Sequence, residues 1–167
     1  ASIMSFSARA HLLNDLGGPL QIEGGSTGED RSLIQAVILP GEANKALPGV
    51  SPQPPENQQI DVLNVYDDSS RQDKVGSLSA TRLTGLGLAG PLSFPGAAGS
   101  DPTMVPGGIS FGKTVLDANP LSPTFGKLVT SETISSIERL NILLGQGNDA
   151  FTINDTLHTD PADPATR

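Results

Sequence analysis

The amino-acid sequence predicts a mainly β protein, in which short strands and Gly-rich turns form a solenoid-like, roll-like or sandwich-like stack with little helix. Residues 140–153 show the pattern of a strand, a Gly-rich turn and a second strand, and residues 60–65 repeat the beginning of that segment. The 167 residues include 19 Gly and 14 Pro, a composition that suits many short strands joined by turns.

The segment from 140 to 153 divides into three parts. Residues 140–144 are rich in branched apolar side chains and predict a strand. Residues 145–149 read Gly-Gln-Gly-Asn-Asp, and Gly and Asn adopt positive φ at little cost, which predicts a tight turn. Residues 150–153 predict a second strand, with Phe151 and Ile153 on one face.

An internal repeat relates this segment to an earlier one. Residues 60–65 read Ile-Asp-Val-Leu-Asn-Val, and residues 137–142 read Ile-Glu-Arg-Leu-Asn-Ile. Both follow the order Ile, acidic, any residue, Leu, Asn, branched apolar. Internal similarity of this kind is typical of stacked units that share one continuous core.

The repeat makes a specific prediction about side-chain direction. We expect the two leucines, Leu63 and Leu140, to point into the core. Because side chains alternate along a strand, the asparagines that follow them, Asn64 and Asn141, should lie on the opposite face in similar environments or bond adjacent backbone.

The chain length predicts one module over residues 1–167. Within it, residues 41–59 form a Pro-rich loop that we interpret as an insertion, and the polar residues 154–167 are a tail or a linker to a following unit. Because the chain begins with Ala1 and shows no signal-peptide pattern, we expect a mature fragment or one unit of a longer protein.

The first forty residues carry two predicted strands and one ambiguous segment. Residues 2–13 alternate in hydrophobicity and favour a strand, although a helical stripe also fits. A turn at 14–18 leads to a short strand at 19–23. Residues 29–39 fit either a short capped helix or a strand that ends at Pro40.

The middle of the chain continues the pattern of short strands. We predict strands at 61–66 and 109–116, and the alternation over 75–83 predicts a further one. Residues 95–108 are predicted to form a loop.

Residues 133–144 mix helical with strand spacing. Ser135 and Glu138 fit a capping box, so a helix is the alternative. We favour a strand, because the aligned segment at 60 continues into a strand.

Charge and composition exclude several classes of function. The net charge of −8 is unsuited to binding nucleic acid, which requires a basic surface. The absence of Cys excludes disulfides and thiolate chemistry. No apolar run approaches the roughly 20 residues that a membrane-spanning helix needs, so we expect no membrane insertion.

Residues 107–114 match the phosphate-binding pattern G-x-x-x-x-G-K-[ST]. A nucleotide site of that kind needs a buried strand before the loop and a helix after it. Pro102 and Pro106 interrupt the preceding segment, and Pro120 leaves no room for a long helix. Because the two His residues, His11 and His158, also lack partners at suitable spacing, we expect no enzymatic activity.

Two acidic turns supply the candidate metal ligands. The first follows the strand at 61–66, and the second is the Gly-rich turn at 145–149. Carboxylate and carbonyl oxygens suit Ca²⁺, but a single turn offers few of them, and an Asp that bonds nearby backbone explains the same pattern. The candidate ligands are Asn148, Asp149, Asp67, Asp68 and Asp73.

Residues 60–68, 83–88 and 137–153 resemble the tandem repeats of very large bacterial surface and secreted proteins, which are related to haemolysin-type (RTX) calcium-binding repeats. Residues 17–25 resemble their connecting segment. The resemblance implies a β-solenoid-like fold, an extracellular or cell-surface location and calcium held between consecutive turns. The sequence departs from the pattern at Leu144, where the repeat has Gly, and over the Pro-rich residues 41–55.

These observations together predict a non-enzymatic structural module of an extracellular filament, sheath or surface layer. Its partners would be copies of itself or neighbouring repeats, which associate through their strands. The alternative is a calcium-dependent adhesin or carbohydrate-binding module, in which the acidic turns and loops would contact glycans.

Overall fold

The computed structural model describes residues 9–25, 58–96 and 103–160. Within these residues the protein is mainly β, and a short turn of 3-10 helix lies at Leu13–Asp15. The strands are β1 (Leu20–Gln21), β2 (Val62–Tyr66), β3 (Val75–Leu78), β4 (Arg82–Gly85), β5 (Leu92–Phe94), β6 (Thr103–Val105), β7 (Ile109–Ser110), β8 (Gly112–Leu116), β9 (Leu128–Ser135), β10 (Arg139–Leu143) and β11 (Ala150–Ile153).

The described strands form one larger sheet and three pairs. The larger sheet has the order β1-β7-β4-β3-β11. Its two outer pairs, β1 with β7 and β3 with β11, are parallel, whereas the inner pairs are antiparallel. Of the remaining pairs, β2 with β10 is parallel, and β5 with β6 and β8 with β9 are antiparallel.

The two copies of the sequence repeat lie side by side. Strands β2 and β10 pair in parallel, with Leu63 opposite Leu140 and Asn64 opposite Asn141, which is the register in which the sequences align. The strands that follow them, β3 and β11, also pair in parallel. We call residues 62–78 the first repeat unit and residues 139–153 the second repeat unit.

The predicted directions of the repeated side chains are confirmed. Leu63 and Leu140 are both partly buried and pack against the core. Asn64 and Asn141 are both exposed on the other face, and Nδ2 of Asn141 donates to Oδ1 of Asn64 at 2.8 Å. The amide pair therefore adds a side-chain hydrogen bond to the backbone pairing of the two units.

Aliphatic side chains make up most of the core. Phe111, Leu83 and Leu86 are fully buried, and the side chains around them come from segments distant in the sequence. The other buried members of this cluster are Leu13, Val65, Leu78, Ile109 and Ile137. The core thus joins the larger sheet to the first repeat unit and to the connection between β9 and β10.

The predicted strand at 2–13 is wrong where the structure describes it. Residues 9–12 are irregular, and the 3-10 turn begins at Leu13. The amide of Leu13 donates to Oδ1 of Asp67 at 2.9 Å and its side chain is buried. The backbone amide of Leu13 thus bonds a side-chain carboxylate, whereas in a strand it would bond the backbone of a neighbouring strand. Residues 2–8 lie outside the described segments.

Two further predictions need correction. The alternating segment at 75–83 is a hairpin, since β3 ends at Leu78 and β4 begins at Arg82. The turn between them, residues 79–81, interrupts the alternation too little to be recognised in the sequence. The predicted loop at 95–108 contains β6, which pairs with β5.

The segment at 133–144 is extended, as favoured, and not helical. Strand β9 ends at Ser135 and β10 begins at Arg139. The hydroxyl of Ser135 bonds the backbone of Ile137, while the carboxylate of Glu138 accepts from the amide of Asp61 at 2.6 Å. The expected capping residue therefore binds the segment just before the first repeat unit, a contact that a local pattern does not encode.

Other predictions fall wholly or partly outside the described residues. These are the helix or strand at 29–39, the insertion at 41–59 apart from its last two residues, and the end of the tail beyond residue 160. The described start of the tail contacts β9 and β8. Thr159 bridges Ser135 in parallel, and the carboxylate of Asp160 lies 2.8 Å from Nζ of Lys113.

The loop between β8 and β9 gives a prediction about pH. Hydrogen bonds from Ser122, Thr124 and the amide of Asn119 lower the pKa of Asp117 below its ordinary value. Because the folded pKa is the lower one, the stabilisation is present above the unfolded pKa and is lost as the pH falls through the folded pKa. We expect Ser122→Ala to raise the pKa of Asp117, measured by NMR titration of its carboxyl carbon; identical titration curves would contradict this assignment.

Candidate functional site

The two acidic turns predicted from the sequence lie stacked on each other. The first, residues 67–74, joins β2 to β3, and the second, residues 144–149, joins β10 to β11. Because both flanking strand pairs are parallel, the turns run in the same direction. The amide of Gln146 donates to the carbonyl of Ser70, and the amide of Ala150 to the carbonyl of Lys74, each at 2.8 Å.

Two Asp side chains connect the stacked turns. The amide of Asn148 donates to Oδ1 of Asp73 at 2.8 Å, and the amide of Lys74 donates to Oδ1 of Asp149 at 2.9 Å. Each carboxylate thus accepts from the backbone of the opposite turn. The sequence pattern predicts an Asp bond to nearby backbone within one turn, whereas the observed bonds join two turns that are 75 residues apart in the sequence.

The glycines of the second turn allow this close approach. A Cβ atom at Gly145 would lie 2.2 Å from the carbonyl oxygen of Ser70, and one at Gly147 would lie 2.2 Å from that of Gln72. Real Cβ atoms do not approach backbone oxygens so closely. The G-x-G spacing therefore has a structural reason that does not depend on any bound ion.

We expect Gly147→Ala to lower the free energy of unfolding by about 1 to 3 kcal/mol, because the added methyl group overpacks against the backbone of the first turn. Urea denaturation of the two proteins measures the change. Gly90→Ala is the matched control, since nothing lies within 4 Å of its added Cβ, and its effect should be neutral or slightly stabilising. Equal losses in both variants would contradict the stacked arrangement.

The five candidate metal ligands do not meet at one point. Asp73, Asn148 and Asp149 are brought together by the stacked turns. Asp68 lies on the exposed side, with its Oδ1 3.0 Å from Nδ1 of His11. Asp67 is fully buried, which the sequence did not predict for a residue of a polar turn. Among residues 9–25, 58–96 and 103–160, no group of three or more His, Asp or Glu side chains is arranged to hold a metal ion.

Asp67 forms a buried ion pair that sequence reasoning missed. Both of its carboxylate oxygens accept from Nζ of Lys74, at 2.8 and 2.9 Å. The same Nζ donates to Oδ1 of Asn14 at 2.5 Å. Asn14 is 60 residues from Lys74 in the sequence, and no local pattern links them. The only available signal was a Lys immediately after an acidic turn, which predicts an exposed side chain.

The phosphate-binding pattern at 107–114 is built from strands. Strand β7 occupies its centre and β8 its end, where Lys113 pairs with Asp160 and the hydroxyl of Thr114 donates to Glu23 at 2.8 Å. The helix that follows the loop in nucleotide-binding proteins is replaced by a strand here.

In the part of the chain that the structure describes, no helix has both the length and the apolar character needed to cross a membrane. The resemblance to repeats of giant surface proteins stays a prediction. Comparison of the chain with protein-family models, with curated proteins and with solved structures finds no match.

Proposed function

We propose that this chain is a non-enzymatic structural module of an extracellular filament, sheath or surface layer, and that its repeat units stack end to end in a solenoid-like manner. The observation that carries the proposal is a difference in burial between paired positions of the two units. Leu78 of the first unit is 9% exposed, whereas Ile153, its partner in the second unit, is 62% exposed.

A second pair shows the same difference. Val65 is buried, but Ile142 opposite it is only partly buried. The first unit is covered by the second, while among the described strands β10 and β11 have a neighbour on one side only. The second unit therefore presents apolar side chains that another unit of the same design would cover, in the way that the second covers the first.

The free edges of β10 and β11 favour pairing with a further copy of the repeat. An unpaired strand edge offers N–H and C=O groups to a further strand, and burial of apolar surface contributes roughly 25 cal/mol per Å². Two copies of the Leu-Asn motif already pair in parallel and in register within this chain. We infer that the next strand on β10 and β11 comes from another copy of this module.

The two ends of the larger sheet favour one type of assembly. The sheet ends with β1 on one side and β11 on the other, so its two edges differ. Contact between unlike edges is head-to-tail, and such contacts produce open filaments when the rotation does not close a ring. This property supports a filament or layer over a closed dimer, and the extracellular setting is the one that the sequence resemblance implies.

We expect concentration-dependent assembly of the purified protein, measured by sedimentation velocity, and we expect Ile153→Lys to abolish it. A Lys on an edge strand opposes further pairing. Leu121→Lys is the matched control, because Leu121 is fully accessible in the loop between β8 and β9 and lies in neither repeat unit. If the protein is a monomer at every concentration, with and without calcium, the proposal is wrong. If both variants reduce assembly equally, assembly does not depend on β11.

A calcium-dependent adhesin or carbohydrate-binding module is the second candidate. It is favoured by the carboxylates of Asp73 and Asp149, which lie on facing turns, and by a shallow groove next to β1 and β7. The groove is lined by Gln21, Arg82 and Ser110, and the buried hydroxyl of Ser110 has no hydrogen-bond partner in the structure. A sugar hydroxyl would satisfy it.

Calorimetric titration separates this candidate from the first. Calcium binding would release or absorb heat and raise the melting temperature, and Asp149→Ala would remove both effects. Titration with cell-surface polysaccharide, compared between the wild type and Ser110→Ala, tests the groove. Absence of heat in both titrations would eliminate the adhesin.

A further inference from the structure

Lys74, Asp67 and Asn14 form a cluster that brings a nucleophile next to an electrophile; Lys74 and Asp67 are buried, and Asn14 is exposed. The side chains of Lys74 and Asp67 are 6% and 1% exposed. Nζ of Lys74 contacts both oxygens of Asp67, and it lies 2.5 Å from Oδ1 of Asn14. A primary amine in contact with a side-chain amide, and paired with a carboxylate that accepts its proton, is arranged for acyl transfer.

We propose that Lys74 and Asn14 form an intramolecular amide cross-link, with Asp67 as the group that moves protons. Nothing in this proposal depends on how the module assembles. The link would join the 3-10 turn at Leu13–Asp15 to the turn between β2 and β3.

The side-chain amide of Asn14 is fixed in place. A Cβ atom added to Gly87 would lie 2.2 Å from Oδ1 and 2.7 Å from Cγ of Asn14, so the amide group rests directly on the Gly87 backbone. The amide of the preceding residue, Leu13, donates to Oδ1 of Asp67. The same carboxylate therefore holds both the chain that carries Asn14 and the ammonium of Lys74, which keeps the reacting groups together.

The reaction balances without any external reagent. The carboxylate of Asp67 first takes a proton from the Lys74 ammonium, and the neutral amine attacks Cγ of Asn14, forming the N–C bond. Asp67 then gives its proton to Nδ2 and accepts one from Nζ. The bond between Cγ and Nδ2 breaks, an amide remains between Lys74 and Asn14, and ammonia departs.

The leaving group has an exit. An open groove runs along the cluster and is lined by Leu12, Asn14, Ser70, Gln72 and Lys74. Ammonia released at Nδ2 would enter this groove, take up the proton that Asp67 carries and leave as ammonium. Asp67 would then return to the carboxylate form in which it began.

Mass spectrometry of the intact wild-type protein tests the proposal. We expect a mass lower than that of the sequence by one ammonia molecule, and a protease digest that yields one branched peptide containing Asn14 and Lys74. A full-length mass equal to that of the sequence, in protein shown to be folded by circular dichroism, would overturn the proposal. This measurement needs no variant and is unaffected by folding defects of mutants.

Three variants assign the roles. Lys74→Arg should keep the full mass, because a guanidinium is not a nucleophile at neutral pH. Asp67→Asn should also keep the full mass while folded, and a linked Asp67→Asn protein would overturn the role of Asp67 as proton carrier. Asn14→Asp should lose water in place of ammonia and reach the same final mass as the linked wild type, since both contain the same amide.

Discussion

Phe111→Ala is expected to lower the free energy of unfolding by about 3 to 5 kcal/mol, the largest loss that we expect for a single apolar side chain in this protein. Phe111 is fully buried at the junction between β7 and β8. The sequence has only five Phe residues, and this substitution removes the ring of one of them from the core. It leaves a cavity that the surrounding strands fill poorly.

The backbone hydrogen bonds of Phe111 limit how far the surrounding strands can move into the cavity that Phe111→Ala would leave. Its amide donates to the carbonyl of Thr81 at 2.9 Å, and its carbonyl accepts from the amide and the hydroxyl of Ser136. These bonds hold the residue between the hairpin of β3 and β4 and the connection from β9 to β10. The strands on either side therefore cannot move together to fill the space.

Chemical denaturation of the wild type, Phe111→Ala and Phe125→Ala measures the effect. Phe125 is exposed in the loop before β9, so its truncation controls for the general loss of a ring and should change stability by less than about 0.5 kcal/mol. Similar losses in the two variants would show that Phe111 is not the centre of the core.

We expect Leu140→Ala and Leu63→Ala each to lower the free energy of unfolding by about 2 kcal/mol. Measured values for buried leucines run from about 2 to 5 kcal/mol, and these two leucines are only partly buried, so the lower end applies. They occupy paired positions of β10 and β2, in the register given by the sequence repeat. Because the two side chains lie opposite each other, their losses should not add.

A double-mutant cycle tests this coupling. We expect an interaction energy of about 0.5 to 3 kcal/mol between Leu63 and Leu140, the range typical of residues in contact. The pair Leu63→Ala with Leu128→Ala is the control, because Leu128 is exposed at the start of β9 and lies outside both repeat units. Strict additivity for Leu63 and Leu140 would contradict the parallel stacking of the two units.

The strand–turn–strand pattern and the sequence repeat were sufficient to predict the central part of the fold. Alternation of apolar residues gave the strands around Leu63 and Leu140, and the repeat gave the faces of Asn64 and Asn141. These features are determined locally, because side chains alternate along any strand and Gly and Asn favour turns. The mainly β class follows from the same signals.

The hairpin at 75–85, strand β6 and the 3-10 turn were not predicted. The two arms of the hairpin pair with each other across the turn at 79–81, whereas β6 and the 3-10 turn each depend on a partner outside their own segment. Strand β6 is extended because it pairs with β5, and the turn at Leu13 is fixed by the carboxylate of Asp67. Contacts between segments separated by many residues leave no periodic signal in the sequence of either one.

The candidate site divides in the same way. The sequence identified the two turns that contain Asp73, Asn148 and Asp149, since turn residues and G-x-G spacing are local features, but it did not predict that the turns stack on each other. Only the tertiary structure separated Asp67 from them and buried it with Lys74, which also contacts the exposed Asn14. An acidic residue in a polar turn is usually exposed. The sequence alone determined the strands and turns of the two repeat units, because their pattern is local. Burial of the charged pair depends on which distant segment covers it, and only the tertiary structure decided that.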